Sequence, residues 1–205
     1  MLAYQTVDPH TLELIKQLMT VSCFKDMRLV GGTALALQYG HRSSVDIDLF
    51  GTIDCNNEII KSELSSIGSL KVISQSENIK CYYLDNIKVD IVNYKYEWID
   101  KIIIEKHLRL ASPKDIAAMK INAIEGRGSK KDFIDIYFLL KHYSIKQILS
   151  FYKLKYPEFS TFRALMSLTY FEDADQQPSP KMYNNVSWDI IKKYIIQQVK
   201  TYSTE

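Results

Sequence analysis

The sequence has few of the residues that would cross-link a small protein or bind zinc. Only three of its 205 residues are cysteines, no C-x-x-C pair occurs, and the four histidines are scattered. The clustered ligands of a structural zinc site are therefore lacking. An odd number of widely spaced cysteines is typical of a reduced protein. We expect Cys23, Cys55 and Cys81 to be three packing thiols in a cytoplasmic chain.

Long apolar runs and a dominant charge are also absent. No stretch approaches the roughly 20 apolar residues that span a membrane, and the N-terminus lacks the basic and apolar regions of a signal peptide. We therefore expect no membrane partner. The net charge is only +2, from 26 basic and 24 acidic residues. A polyanion would have to meet a local patch, not the field of the whole molecule.

The pattern of the chain changes about halfway. In the first 95 residues, helix patterns alternate with short β-rich runs, which predict strands at 28–30, 45–50, 70–73, 79–84 and 87–93. From Ser112 and Pro113 onward, helix starts and helical periodicity dominate, and helices are predicted at 113–126, 130–143, 144–155, 160–170 and 187–200. Residues 173–181 resemble an exposed linker. We predict an α+β fold with a mixed sheet in residues 1–110 and a helical region, packed on it, in 111–205.

The stretch VGGTALALQYGHRSSVDIDLF combines two features that phosphate chemistry needs. Asp46 and Asp48 point to the same side of a predicted strand, which is costly unless a cation lies between them. Mg²⁺ prefers a few carboxylates together with waters and phosphates. The residues Gly31, Gly32 and Thr33 lead into a helix whose N-terminus can bind a triphosphate. The alternative is that both aspartates line the solvent face of an edge strand.

A third carboxylate lies in the stretch NIKVDIVNY. Asp90 is surrounded by apolar residues in a predicted strand, and a buried aspartate needs a partner. Phosphoryl transfer with two metal ions uses carboxylates from neighbouring strands, so we predict Asp90 as the third metal ligand and as a base for an attacking hydroxyl. The alternative is a salt bridge with Lys88.

Lys120 lies within the apolar face of the predicted helix 113–126. An unpaired buried ammonium is expensive, so the side chain either extends to solvent or meets a carboxylate or phosphate. Asp132 falls within the apolar stripe of the next helix, and Asp135 lies at its edge. A contact between Lys120 and a carboxylate of the neighbouring helix would explain why both helices carry a charge within their apolar faces. Arg127, in the loop between the helices, is either solvated or part of a basic rim.

Two stretches together resemble a known family. GGTALALQYGHRSSVDIDLF resembles the opening motif of the AbiEii-type nucleotidyltransferases, the toxins of type IV toxin–antitoxin pairs. PKDIAAMKINAIEGRGSKKDFIDIYFLL resembles their later motifs, in which a helical lysine precedes an Arg/Lys-Asp-x-x-Asp segment. The first stretch alone indicates only the broader DNA polymerase β-like superfamily. The resemblance covers roughly residues 29–50 and 112–140.

The resemblance implies a nucleotidyltransferase fold and assigns roles to individual residues. Lys120 matches the motif lysine, and Asp132 and Asp135 match the late acidic pair, without indicating which of the two is essential. Arg42 and Ser44 lie in the GHRSS loop, and we expect this loop to contact the triphosphate.

The function that we expect is metal-dependent transfer of an NMP from an NTP to an acceptor hydroxyl, with Mg²⁺ or Mn²⁺ as cofactor. The resemblance implies a growth-inhibiting toxin, an RNA acceptor such as a tRNA 3′ end, and a cognate antitoxin as a partner. Two alternatives remain. One is transfer to a small molecule or a protein, and the other is a nucleotide-binding module that has lost turnover.

Overall fold

The computed structural model describes residues 1–204, which form two compact units. The first unit comprises Met1–Lys95 and Ile102–Ala111. The second comprises Tyr96–Lys101 and the chain from Ser112 onward. The segment of residues 96–101 therefore leaves the first unit and packs with the helices of the second.

A mixed sheet forms the centre of the first unit. Its strands are β1 (Arg28–Leu29), β2 (Ile47–Gly51), β3 (Leu70–Gln75), β4 (Ile79–Leu84), β5 (Ile87–Asn93), β6 (Ile103–Glu105) and β7 (Leu108–Leu110). They form seven strands in the order β3-β4-β5-β2-β1-β7-β6. Strand β2 lies in the middle, antiparallel to β1 and parallel to β5. Its alternate residues Ile47 and Leu49 are fully buried, which fixes the register of the opposite face.

Side-chain caps and a glycine set the ends of the helices in the first unit. They are α1 (Pro9–Thr20), α2 (Gly31–Tyr39) and α3 (Asn57–Ile67), with 3₁₀ turns at Tyr4–Thr6 and Ser22–Phe24. The Asp8 side chain caps α1, and the Asn56 side chain accepts two backbone N–H groups at the start of α3. Gly40 ends α2 in the left-handed conformation, with φ 68°, as glycine commonly does at this position.

The second unit is helical. Its helices are α4 (Pro113–Gly126), α5 (Lys130–Leu139), α6 (Ile145–Lys155), α7 (Thr161–Ser167), α8 (Glu172–Asp175) and α9 (Trp188–Ser203). A serine hydroxyl caps four of them by accepting a backbone N–H: Ser112, Ser144, Ser160 and Ser187. These caps satisfy N–H groups that a helix start otherwise leaves open.

A buried ion pair ties residues 96–101 to these helices. The Asp115 carboxylate lies 2.8 Å from Lys155 Nζ, and neither side chain is exposed. The same carboxylate accepts the backbone N–H groups of Ile99 and Asp100, and Lys155 also donates to the Glu97 carbonyl. Each buried charge thus has several partners, which the cost of burial requires.

The structure confirms the predicted bounds of β4 and β5, whose turn has positive φ at Asp85 and Asn86 (49° and 64°). It also shows what the sequence reading missed. Strands β6 and β7 were not predicted, and α5 ends at Leu139 instead of residue 143. Helix α2 begins at Gly31, so the two glycines belong to the helix and not to the turn before it.

The cysteine expectation is corrected as well. Cys23 and Cys55 form a disulfide, and only Cys81 keeps a free thiol among residues 1–204. Their Cα atoms lie 5.6 Å apart, within the usual range for such a bond. Wide spacing in sequence did not show this proximity, because the fold returns β2 to the side of β1. None of the helices in residues 1–204 combines the length and the apolar character that a membrane span requires.

Candidate active site

Two of the predicted carboxylates lie side by side in the centre of the sheet. Asp48 on β2 is the register partner of Asp90 on the parallel neighbour β5. Both side chains lie on the face opposite the buried Ile47 and Val89 and are half-buried. We call Asp48 and Asp90 the carboxylate pair. Since β2 is a central strand, the alternative that places the aspartates on an edge strand is wrong.

Asp46 lies just before β2 and is also half-buried. Its backbone carbonyl accepts a hydrogen bond from the buried Thr33 hydroxyl, which ties the start of β2 to the first turn of α2. The Thr33 hydroxyl also lies 2.9 Å from Ser44 Oγ. Thr33 and Ser44 therefore brace the loop that precedes β2, and their oxygens are directed at each other.

Asp90 has one paired oxygen and one open oxygen. Lys88, two residues earlier on the same face of β5, pairs with Asp90 Oδ2, so the salt bridge that the sequence left as an alternative is present. Asp90 Oδ1 is buried and has no hydrogen-bond partner within residues 1–204. A buried oxygen without a partner is expensive, and Oδ1 is therefore an atom that could bind a cation.

Gly31 places the start of α2 against Asp48. Its φ is 68°, and a Cβ at this position would lie 2.3 Å from Asp48 Oδ2. Both facts require glycine, because side chains rarely adopt such a φ and no room exists for one. The N-terminal turn of α2, a natural phosphate site, thus begins beside the carboxylate pair.

Gly32 makes room for Arg42. A Cβ on Gly32 would lie 2.3 Å from Arg42 Nη2, and Arg42 is only 1% exposed. The guanidinium donates to the Ser43 carbonyl at 2.9 Å. We expected Arg42 to contact the triphosphate, but the structure buries it behind the start of α2, where its charge adds to the positive helix end.

The donors present fit Mg²⁺ in kind. Neighbouring carboxylates and an open oxygen suit an ion that keeps several waters and takes phosphate oxygens. The structure does not gather the predicted trio Asp46, Asp48 and Asp90 into one cluster: in residues 1–204, no three acidic, histidine or cysteine side chains lie close enough to hold a metal by themselves. The metal would depend on the nucleotide for further ligands.

The second unit contains the other predicted cluster. Lys120 on α4 is 5% exposed, and its Nζ lies 2.8 Å from Asp132 Oδ1 and 2.7 Å from Asp135 Oδ2, both on α5. Both carboxylates are fully buried. The predicted contact between the helices is therefore confirmed, and an exposed Lys120 is excluded.

Arg127 and Ser129 complete the surroundings of Asp132. Arg127 Nε and the Ser129 hydroxyl donate to Asp132 Oδ2 at 3.0 and 2.7 Å. Burial alone would raise the pKa of Asp132, but the charges of Lys120 and Arg127 and these hydrogen bonds hold it well below its usual range. Arg127, expected in a solvated loop or a basic rim, is thus a partner of the cluster. The sequence does contain a signal for this contact, because the basic Arg127 lies only five residues before Asp132.

Several known proteins are similar to this chain. A family model described as "Nucleotidyl transferase AbiEii toxin, Type IV TA system" matches residues 13–185. The uncharacterized protein aq_aa25 of Aquifex aeolicus (strain VF5) is 32% identical over 200 residues, which cover 93% of this chain and 94% of that protein. The nucleotidyltransferase toxin MenT4 of Mycobacterium tuberculosis H37Rv has a TM-score of 0.56 at 13% identity, covering 93% of this chain and 82% of its own. JHP933 of Helicobacter pylori has a TM-score of 0.52 at 17% identity, covering 97% and 98%.

The sheet, with its carboxylate pair beside a glycine-led helix, and the likeness to MenT4 define a nucleotidyltransferase fold. The family model covers most of the chain, so the chain belongs to the AbiEii nucleotidyltransferase toxin family of type IV toxin–antitoxin systems. It is a nucleotidyltransferase, and an NTP is its substrate.

Proposed function

We propose that this enzyme transfers an NMP to an RNA hydroxyl, such as that of a tRNA 3′ end, in a metal-dependent reaction that inhibits growth. The observation that carries metal dependence is the carboxylate pair, in which Asp48 and Asp90 are register partners and Asp90 Oδ1 has no partner within the described chain. Family membership supports a cognate antitoxin partner, because the family comprises toxins of type IV pairs. The RNA acceptor is a further part of the proposal, and the labelling experiment below tests it.

The residues of the first unit have different proposed roles in this reaction. Asp48 and Asp90, together with oxygens of the nucleotide, would hold Mg²⁺ or Mn²⁺, and Asp46 just before β2 is proposed as a further ligand. The ion would supply positive charge against the phosphates and the leaving pyrophosphate. The N–H groups of Gly32 and Thr33 at the start of α2 orient the triphosphate. Asp90 accepts the proton of the attacking hydroxyl.

The cluster of Lys120, Asp132 and Asp135 in the second unit is also proposed to take part in catalysis, on separate grounds. Lys120, Asp132 and Asp135 match the family's late motif, and all three are buried. Buried ion pairs are often no more stable than apolar replacements. Burial alone therefore does not assign the cluster a role, and the match to the family's late motif supports its part in transfer chemistry.

Labelling separates this proposal from its rivals. The protein is incubated with Mg²⁺, a cell lysate and each NTP labelled at the α-phosphate, and RNA, protein and small metabolites are then separated. Label on RNA is expected. Label on protein or metabolites would replace the RNA acceptor with one of these. Nucleotide bound without transfer would favour the binding module.

Substitution of the metal-binding aspartates tests the site itself. We expect Asp48→Asn and Asp46→Asn to lower transfer at least about a hundredfold, since each removes charge stabilisation at the reacting phosphate, while the fold is kept. Asp54→Asn is the matched control, because Asp54 is exposed and should leave activity unchanged. Wild-type activity in either site variant would contradict the metal assignment.

A further inference from the structure

Lys88 brings a positive charge directly to the carboxylate pair. It lies two residues before Asp90 on β5, so both side chains are on the same face, and its Nζ pairs with Asp90 Oδ2. The ammonium is therefore held by one member of the pair, Asp90.

The salt bridge between Lys88 and Asp90 uses only one of the two carboxylate oxygens. Lys88 binds one oxygen of Asp90 and leaves Oδ1 without a hydrogen-bond partner in the described chain. The Lys88 side chain is 40% exposed, and a lysine has a long stem with many rotamers. It can thus swing away from Asp90 without any change in β5. A structural ion pair would instead be buried and fixed from several sides, as Lys155 and Asp115 are.

We propose that Lys88 is an exchangeable counter-ion of the active site: it offsets part of the negative charge of the carboxylate pair when the site is empty and moves to the triphosphate when metal-bound NTP enters. The inference rests on the proposed metal-dependent reaction and adds a residue to it. Its basis is charge balance. A divalent ion on Asp48 and Asp90 takes over the role of the ammonium there, while the triphosphate brings negative charge that needs a cation.

This role predicts effects of opposite sign on two ligands. Without nucleotide, Lys88 competes with a metal ion for the carboxylate pair, so its removal should strengthen the binding of metal alone. With nucleotide, Lys88 contacts the phosphates, so its removal should weaken the binding of the metal–nucleotide complex. A residue that only orients Asp90 would weaken both when removed, and a residue without a role at the site would change neither.

The test measures both affinities on the full chain by calorimetric titration. Wild type, Lys88→Gln and the control Lys71→Gln are titrated with Mn²⁺ alone, and then with Mg²⁺ and the non-reactive α,β-methylene analogue of each NTP. Lys71 is an exposed lysine on β3. For Lys88→Gln we expect Mn²⁺ affinity to rise a few-fold, on the scale of a partly exposed ion pair. Analogue affinity should fall about tenfold, on the scale of a charged hydrogen bond.

Each outcome has one meaning. Opposite shifts in Lys88→Gln, with Lys71→Gln like wild type, support the exchange. Equal shifts in one direction, or no shift in a folded variant, overturn it while leaving the proposed function intact. If the wild type binds neither Mn²⁺ nor any analogue, the proposed metal-dependent function itself fails, and the exchange fails with it.

Discussion

Gly31 shows how much a single residue determines at this site. It combines a φ of 68° with a position where a Cβ would lie 2.3 Å from Asp48 Oδ2. We expect Gly31→Ala to lower the free energy of unfolding by about 1–2 kcal/mol, because a side chain is strained at this φ. Transfer should fall as well, since the Asp48 carboxylate must move. Urea unfolding and the labelling assay measure the two effects.

Gly126 provides the control. It lies at the end of α4, and a Cβ there meets no atom within 4 Å. Gly126→Ala should therefore be neutral or stabilise by up to about 1 kcal/mol, as glycine in a helix is unfavourable relative to alanine. If Gly31→Ala and Gly126→Ala show the same stability and the same transfer activity, the close approach of Gly31 to Asp48 matters for neither.

At the residue scale, the sequence indicates which residues are candidates for the site better than it indicates which residues they contact. Asp46 and Asp48 stand out because two like charges in an apolar strand need an explanation, and Lys120 stands out for the same reason. Lys120 and its carboxylates lie on consecutive helices, so their contact could be predicted, whereas other partners depend on tertiary contacts between segments far apart in sequence. The pairing of Asp48 with Asp90, and the burial of Arg42 behind Gly32, follow from the order of the strands and the path of a loop, which local patterns do not contain.

At the scale of helices, the contact of α4 with α5 depends on buried charge. Lys120→Met keeps the stem but leaves Asp132 and Asp135 without their shared ammonium. We expect a loss of about 3–5 kcal/mol, the usual cost of breaking a buried pair, measured by urea unfolding. An exposed lysine in the same stripe would instead tolerate methionine, so an unchanged stability would contradict the geometry.

Two further variants separate charge from packing. The triple variant Lys120→Met, Asp132→Asn, Asp135→Asn has no unpaired buried charge at this place, since Arg127 is mostly exposed. It should recover most of the lost stability, yet it should remain inactive. Arg127→Met should cost only about 1 kcal/mol, because the Arg127 side chain is 68% exposed and screened by water. A triple variant that regains activity would remove the cluster from the proposed machinery.

The same scale shows which elements a sequence can reveal. Strands β4 and β5 were predicted with correct bounds because each is long enough to show its pattern and Asp85-Asn86 is a typical hairpin turn. Strands β6 and β7 have three residues each, too few for a period to be visible. Their turn, at Lys106 and His107, has positive φ at both residues but lacks the Asn, Asp or Gly that usually marks it.

At the scale of the first unit, the disulfide closes the segment that carries part of the candidate site. Cys23 and Cys55 are 32 residues apart, and Gly31, Asp46 and Asp48 all lie between them. Closing a loop of this length restricts the unfolded chain and stabilises the folded one by up to about 3–4 kcal/mol. The expected reduced chain of three thiols would lack this contribution.

Reduction therefore should lower the stability of the enzyme and, with it, the temperature at which transfer is lost. Urea unfolding of oxidised and reduced protein measures the first, and residual activity after heating measures the second. Cys55→Ser should behave like the reduced protein under all conditions, whereas Cys81→Ser should keep the full response to reductant, since Cys81 has a free thiol. Thiol titration of the unfolded, unreduced chain should find one group per molecule. Three groups would mean that the bond does not form, and the segment from Gly31 to Asp48 would then be held by strand pairing, by the hydrogen bonds of Thr33 and by the packing of α2 against β2, without a covalent link.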